Sequence, residues 1–380
     1  GGTVANMTAL WVARNQLLKP DGDFAGIAAE GLAAGLAHYN YKRLVVLVSE
    51  RGHYSLSKAA DVLGIGRKNL VAVATDANNR IKIDALRQAC QDVREQGGEV
   101  LSIVGVAGTT ETGHIDPLAD MADIAEQLGI HFHVDAAWGG ATLLSNDYRH
   151  LLSGIERADS VTIDAHKQMY VPMGAGLVLF KDPAMVKAIE HHAEYIIRQG
   201  SKDLGSHTME GSRPGMAMMV FSAMHVIGRR GYELLINNSL EKARYFSSLI
   251  AEQDDFEVIT EPELCLLTYR FVPKRVKLAL EAANVEQVER LTPHLNALTR
   301  YIQKRQRESG RSFVSRTKLT PEHYYRVPTV VFRVVLANPL TTHDMLREII
   351  AEQREIAEKA TSLRGALHTE MRELGLIRDA

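Results

Sequence analysis

A few residues of this chain have the type and placement to do chemistry. In residues 164–176, DAHKQMYVPMGAG, Lys167 stands directly behind His166, just after the β-branched run SVTI (160–163). Asp135 closes the apolar run IHFHVDAA (130–137), Thr109 and Thr110 follow EVLSIVGVAG (99–108), and His53 comes soon after RLVVLVSE (43–50). The first residues, GGTVAN, lead into a helical stretch, NMTALWVARNQLL. Glycines before a helix let backbone N–H groups approach an anion, and the positive end of the helix dipole favours a phosphate there.

Singly, each feature has an ordinary structural explanation: a cap, a turn-bonding aspartate, a surface histidine, a solvated lysine. Their conjunction is more specific. A phosphate cradle, a carboxylate and a reachable lysine drawn from different strand ends are what pyridoxal 5′-phosphate (PLP) requires. The lysine forms a Schiff base, the carboxylate pairs with the pyridinium nitrogen, and the helix start holds the phosphate. By keeping the ring nitrogen protonated, Asp135 would make the ring an electron sink.

These residues need a scaffold that brings strand ends together. Residues 43–50, 69–76, 99–108, 130–137, 160–165 and 175–180 are short, rich in Val and Ile, and nearly continuous in apolar character, as strands buried on both faces are. Between them lie DALRQACQDVREQG (84–97) and DPLADMADIAEQLG (116–129), the latter with Asp116 as N-cap and Pro117 at the first helical position. The alternation predicts an α/β unit with a mostly parallel sheet, whose ligands settle at the carboxyl ends of the strands. From about residue 231 the rhythm changes to helices interspersed with DFEVIT, LCLLTYRFV and TVVFRVVLAN, an α+β pattern. The expected division is residues 1–230 and 231–380.

Composition narrows the function further. A chain of 380 residues with 46% hydrophobic and 24% charged residues is that of an ordinary globular protein of two domains. Its net charge of −2 leaves no global footprint for nucleic acid or an anionic membrane. The densest basic cluster, residues 304–318, reads as a helix end and a solvated loop. The two cysteines lack metal-ligand spacing, so neither a metal nor a disulfide framework is expected, and the compartment is read as reducing and cytoplasmic. No apolar stretch is long enough to span a bilayer. The chain opens without a methionine, so an upstream portion is expected to be missing.

In order along the chain, GGTVAN, SERGHYS, AGTTETG, HVDAAWGG, DAHKQMYVPMGAG and VVFRVVLANP resemble the group II pyridoxal-dependent decarboxylases. The resemblance covers nearly the whole chain. Within the family, HKQMYVPMGAG and IQKRQRESGRSFVSRT look most like the bacterial aspartate 1-decarboxylase branch. It implies the fold-type-I, aspartate aminotransferase-like architecture: a large domain with a seven-stranded type of mostly parallel sheet and a smaller C-terminal α+β domain. It also implies a homodimer with shared active sites.

Carried over residue by residue, the resemblance implies that Lys167 bears the cofactor and that His166 contacts its phosphate. Asp135 would pair with the pyridinium nitrogen, Ala137 would pack beneath the ring, and His53 would stack on the other face. Thr110 would lie near the ring substituents, and Gly2 and Thr3 in the phosphate loop. Asp164 would stand near the phosphate, where many relatives have asparagine or serine. That is a departure, since a carboxylate repels a phosphate dianion. Arg333 would receive the substrate's α-carboxylate, as a planar guanidinium suits.

A second departure concerns the proton donor. Residues 198–215 contain no tyrosine where relatives place one on a mobile loop, which leaves His207 and Tyr195 as candidates, with Ser212 and Arg213 as residues that could reach a neighbouring site. The function expected is decarboxylation of a small acidic L-amino acid, aspartate to β-alanine first and glutamate to GABA next. The alternatives are action on tyrosine, other aromatic amino acids or L-2,4-diaminobutyrate, another fold-type-I reaction such as transamination or carbon–carbon cleavage, and an inactive homologue acting as a dimerisation partner.

Overall fold

The computed structural model describes residues 1–193, 195–198 and 200–377. They form two compact units, Gly1–Thr110 with Ile115–Ile236, and Glu111–His114 with Asn237–Ala380.

In the first unit the chain runs α1 (Gly2–Leu17), α2 (Ile27–His38), β1 (Leu44–Ser49), α3 (Ser55–Val62), β2 (Leu70–Val73), α4 (Ile83–Glu95), β3 (Glu99–Val106), α5 (Leu118–Leu128), β4 (His131–Asp135), β5 (Ser160–Ile163) and β6 (Leu177–Phe180). The strands lie in the order β2-β1-β3-β4-β5-β6. The first five are parallel and β6 is antiparallel to β5. All six residues of β1 are buried, because a parallel strand covered by helices has no wet face. Leu10 of α1, Leu56 of α3, Val46 of β1 and Val104 of β3, all fully buried, form one apolar core beside the sheet. Each such side chain contributes about 1.5–3 kcal/mol by leaving water.

Two expectations are corrected here. The sheet has six strands among the described residues, not seven. After β6 the chain meets Asp182 and Pro183, which cap and open a 3-10 segment. Asp116 does not cap α5, whose N-cap is Pro117. Its carboxylate instead accepts the backbone N–H groups of Ile81 (2.8 Å) and Val106 (2.9 Å), tying the end of β3 to a neighbouring loop. Burial pushes its carboxyl up to about 6.

The second unit takes up the chain within α6 (Met216–Ala251), whose helical geometry is interrupted at Gly228 (φ 66°). There follow β7 (Phe256–Thr260), β8 (Leu266–Phe271), α7 (Lys274–Leu280), α8 (Val285–Ser309), β9 (Ser315–Leu319), β10 (Thr329–Val335), α9 (His343–Lys359) and α10 (Thr361–Glu373). The sheet is antiparallel, in the order β7-β8-β10-β9. Helix α8 starts with a reciprocal capping box between Asn284 and Gln287 and ends at the left-handed Gly310. Fully buried Phe246, Tyr269 and Phe332 pack edge-on or tilted at the centre of this unit. The basic stretch 304–318 is only partly helix end and loop: residues 315–319 form the edge strand β9 on β10.

Candidate active site

Strands β4 and β5 are parallel neighbours, with His133 opposite Ser160 and Asp135 opposite Thr162. They therefore end side by side, and the residues leaving them are joined at once: the Asp164 N–H donates to the Ala137 carbonyl at 3.2 Å. A tight turn follows β5, with the Lys167 N–H on the Asp164 carbonyl (3.0 Å) and the Val171 N–H on that of Ala165 (3.1 Å). Tyr170 adopts a left-handed conformation there (φ 56°), an uncommon cost for a bulky residue. The turn aims the half-buried Lys167 so that Nζ lies 3.1 Å from Asp164 Oδ2 and 5.7 Å from the centre of the Trp138 ring.

The start of α1 meets this turn. A Cβ on Gly176 would lie 2.5 Å from the carbonyl carbon of Gly1, so only glycine allows the two backbones to approach. A Cβ on Gly2 would lie 2.7 Å from Asp164 Oδ2. Helix α1 begins at Gly2, followed by Thr3, and Gly2 stands against Asp164 in this glycine-lined corner. His166 donates Nδ1–H to the Ala175 carbonyl at 2.8 Å, which fixes its ring beside the corner. Among the described residues Asp164 Oδ1 is shielded from solvent without a hydrogen-bond partner.

Asp135, also buried, is held quite differently. Its Oδ1 accepts the Ala137 N–H at 3.1 Å and its Oδ2 accepts Asn6 Nδ2 at 2.8 Å. Asn6 also bonds Ser55 Oγ (3.1 Å), and Ser55 Oγ lies 2.8 Å from His53 Nδ1. On its other side Asn6 Oδ1 is 3.1 Å from His133 Nε2. Burial lowers His133 to about 3 and His131 to about 4, so both rings are neutral at pH 7. Sequence reasoning missed Asn6 and His133. The signal was the alternation in HFHVD, which places His131, His133 and Asp135 on one face of β4.

The remaining expected residues lie elsewhere. Thr110 is exposed in the loop after β3. Arg333 is a half-buried residue of β10 in the second unit, where burial lowers its pKa against the opposing influence of Glu111. His207 bonds Ser206 Oγ (2.7 Å) and approaches Glu190 (3.7 Å). Together with Gly1, Gly176 and Arg213 it lines a cavity of about 650 Å³ that adjoins the glycine-lined corner. Tyr195 and Ser212 are exposed.

The residues present fit PLP. A glycine-lined helix start offers N–H donors, the Asp164 carboxylate keeps an unmet oxygen beside the lysine, and a second carboxylate is fixed at the next strand end. An α/β chain so equipped is of the kind that anchors an aldehyde cofactor on lysine. The pyridoxal-dependent decarboxylase conserved domain matches residues 1–272, and the chain belongs to that family, whose cofactor is PLP. It is 65% identical to the aspartate 1-decarboxylase of Aliivibrio fischeri (strain ATCC 700601 / ES114), over 95% of this chain and 66% of that protein. It is 30% identical to the L-2,4-diaminobutyrate decarboxylase of Acinetobacter baumannii, over 72% of this chain and 55% of that protein. Among solved structures, the crystal structure of mouse CSAD aligns with a TM-score of 0.83 at 26% identity, covering 94% of this chain and 70% of the other. The fold-type-I architecture follows. The chain spans less than two thirds of the length of these two sequence relatives.

Proposed function

We propose that this protein decarboxylates a small acidic L-amino acid, with aspartate to β-alanine as the leading reaction and glutamate to GABA next. The observation that supports the chemistry is the joining of β4 and β5 at their ends, which places Asp135, Ala137, Asp164 and Lys167 in one connected corner. Identity of 65% to an aspartate 1-decarboxylase supports the choice of substrate.

PLP, when bound, supplies an aldehyde for imine formation with amines and a cationic ring that accepts electrons from a bond broken at the α-carbon. Lys167 Nζ, beside Asp164, would be the amine that holds it covalently. Asp164 is better read as the partner that keeps Lys167 in place than as a phosphate ligand, since it already pairs with Nζ and would repel a phosphate. Gly2, Thr3 and His166 bind the phosphate, with N–H groups at the start of α1. Asp135 would pair with the ring nitrogen, Ala137 would pack against the ring, and His53 and Thr110 would help to orient it. Arg333 would pair with the substrate's α-carboxylate, as a planar guanidinium suits. The active protein is a homodimer in the cytoplasm. No helix among the described residues is long and apolar enough to cross a membrane.

The test is a screen of amino acids for CO₂ release by the full-length, PLP-loaded protein beside Lys167→Ala. Release from aspartate with β-alanine formed in equal amount, lost in the variant, is the expected result. Keto acid formation that needs an added acceptor would instead mean transamination. No release from any amino acid would remove the assignment.

A further inference from the structure

The buried polar groups beneath Asp135 carry a direction that distances alone do not state. A carboxylate only accepts hydrogen bonds, so the Asn6 group 2.8 Å from Asp135 Oδ2 is the amide nitrogen, and the Asn6 oxygen faces His133. That oxygen also only accepts, so His133 must be protonated at Nε2. A neutral ring protonated at Nε2 has a bare Nδ1, which must accept the hydroxyl proton of Ser160, 2.9 Å away. The Ser160 oxygen in turn accepts from His131 Nε2 at 2.8 Å. On the other branch, the second Asn6 N–H is spent on Ser55 Oγ, whose own proton and backbone N–H both point at His53 Nδ1 (2.8 and 3.2 Å). His53 must therefore also be bare at Nδ1 and carry its proton on Nε2. Asn6, Ser55, His133 and Ser160 are all at most 1% exposed, so water cannot substitute for a missing donor.

We propose that Asn6 is a positioning residue at the hub of a one-way hydrogen-bond network, holding the Asp135 carboxylate in place and with it the Nε2–H tautomer of His133, while its second N–H seats Ser55 against His53 Nδ1. The two groups expected on opposite faces or edges of the cofactor ring are thereby coupled through one amide. Reversing that amide would set its oxygen against the carboxylate and its nitrogen against the His133 proton, so neither branch can change without the other. This inference rests on the reading of Asp135 as the partner of the ring nitrogen.

The test uses the full-length protein labelled with ¹⁵N in its histidine rings, before and after PLP is added, with His53→Gln and His133→Gln to assign resonances. In the unaltered protein both rings are expected to be bare at Nδ1 and protonated at Nε2. In Asn6→Leu, similar in size but without polar atoms, the His133 ring should become a tautomer mixture, the His53 resonances should shift while Nδ1 stays bare against the Ser55 N–H, and the Kd for PLP should rise on the order of 10- to 100-fold, the loss expected for one hydrogen bond to a charged group. If Asn6→Leu does not fold, Ser160→Ala removes only the distal donor and should disturb the His133 resonances with a weaker loss of PLP affinity, on the order of a few-fold. Nδ1–H signals assigned to His53 or His133 in the unaltered protein, or a folded variant whose rings and PLP affinity are unchanged, would overturn the proposal. Failure of the functional reading looks different: no borohydride-trapped PLP on Lys167 would sink that reading, whereas the ring spectra recorded without PLP still judge the network.

Discussion

Two sides of one corner are built on opposite plans. On the Asp135 side the carboxylate oxygens have partners, and the groups behind them have partners of their own, out to Ser160 and His131. On the Asp164 side the structure is spare: glycines, a lysine resting on one carboxylate oxygen and a shielded second oxygen with no hydrogen bond among the described residues. The contrast teaches which parts of a cofactor site must be rigid beforehand and which must stay adaptable. Electrostatic tuning needs fixed charges, whereas anchoring a phosphate and exchanging a covalent partner need room and a movable amine.

The comparison can be broken at four places. Lys167→Ala acts on the adaptable side and should have the largest effect, eliminating both the borohydride-trapped adduct and CO₂ release; a surviving adduct would locate the anchor elsewhere. Asp135→Asn acts on the rigid side and should lower kcat by about 10²- to 10³-fold while PLP still attaches, because the fixed charge is lost but the anchor is not. Steady-state kinetics with absorbance titration separates the two. Gly2→Ala should push Asp164 away from Lys167, since the new Cβ would stand 2.7 Å from Oδ2. Weakening of PLP binding by about tenfold is expected, with thermal stability little changed because Asp164 is a single short side chain. An unchanged affinity would show that the corner is less tight than its geometry.

The smallest effect concerns pH. Folding holds His133 at about 3 and His131 at about 4, below the ordinary value near 6.5. Between those values the unfolded chain binds more protons than the folded one. The stabilising contribution is therefore complete above about 6.5 and is lost as pH falls, at about 1.4 kcal/mol per unit for each ring. Urea unfolding of the unaltered protein and of His133→Gln should show the variant losing about 2 kcal/mol less between pH 6.5 and 5. Equal slopes would mean that His133 is not buried as a neutral ring.

What the sequence revealed and what it hid follow from how far each interaction reaches. The strands of the first sheet were readable because both faces are buried and their runs are uninterruptedly apolar, as LVVLVS shows. Lys167 and Asp135 stood out because each closes such a run. The edge strand β9 was hidden, since Ser315, Arg316, Thr317 and Lys318 read as polar loop when only one face meets the core. Asp116 looked like a cap because Asp-Pro often opens a helix, yet its oxygens go to Val106 and to Ile81, 35 residues away. Asn6 was absorbed into a glycine motif for the same reason. Its partners lie 49, 127 and 129 residues along the chain, and no local pattern encodes them.

The outermost strand of the second sheet carries its charges on the solvent-facing side. Arg316 and Lys318 are both exposed on β9, two positions apart along a rim with no strand beyond it among the described residues. When two molecules drift rim to rim, like charges meet before any backbone can pair. A sheet that would otherwise offer a template for fibrous association is thus kept solitary by electrostatic repulsion.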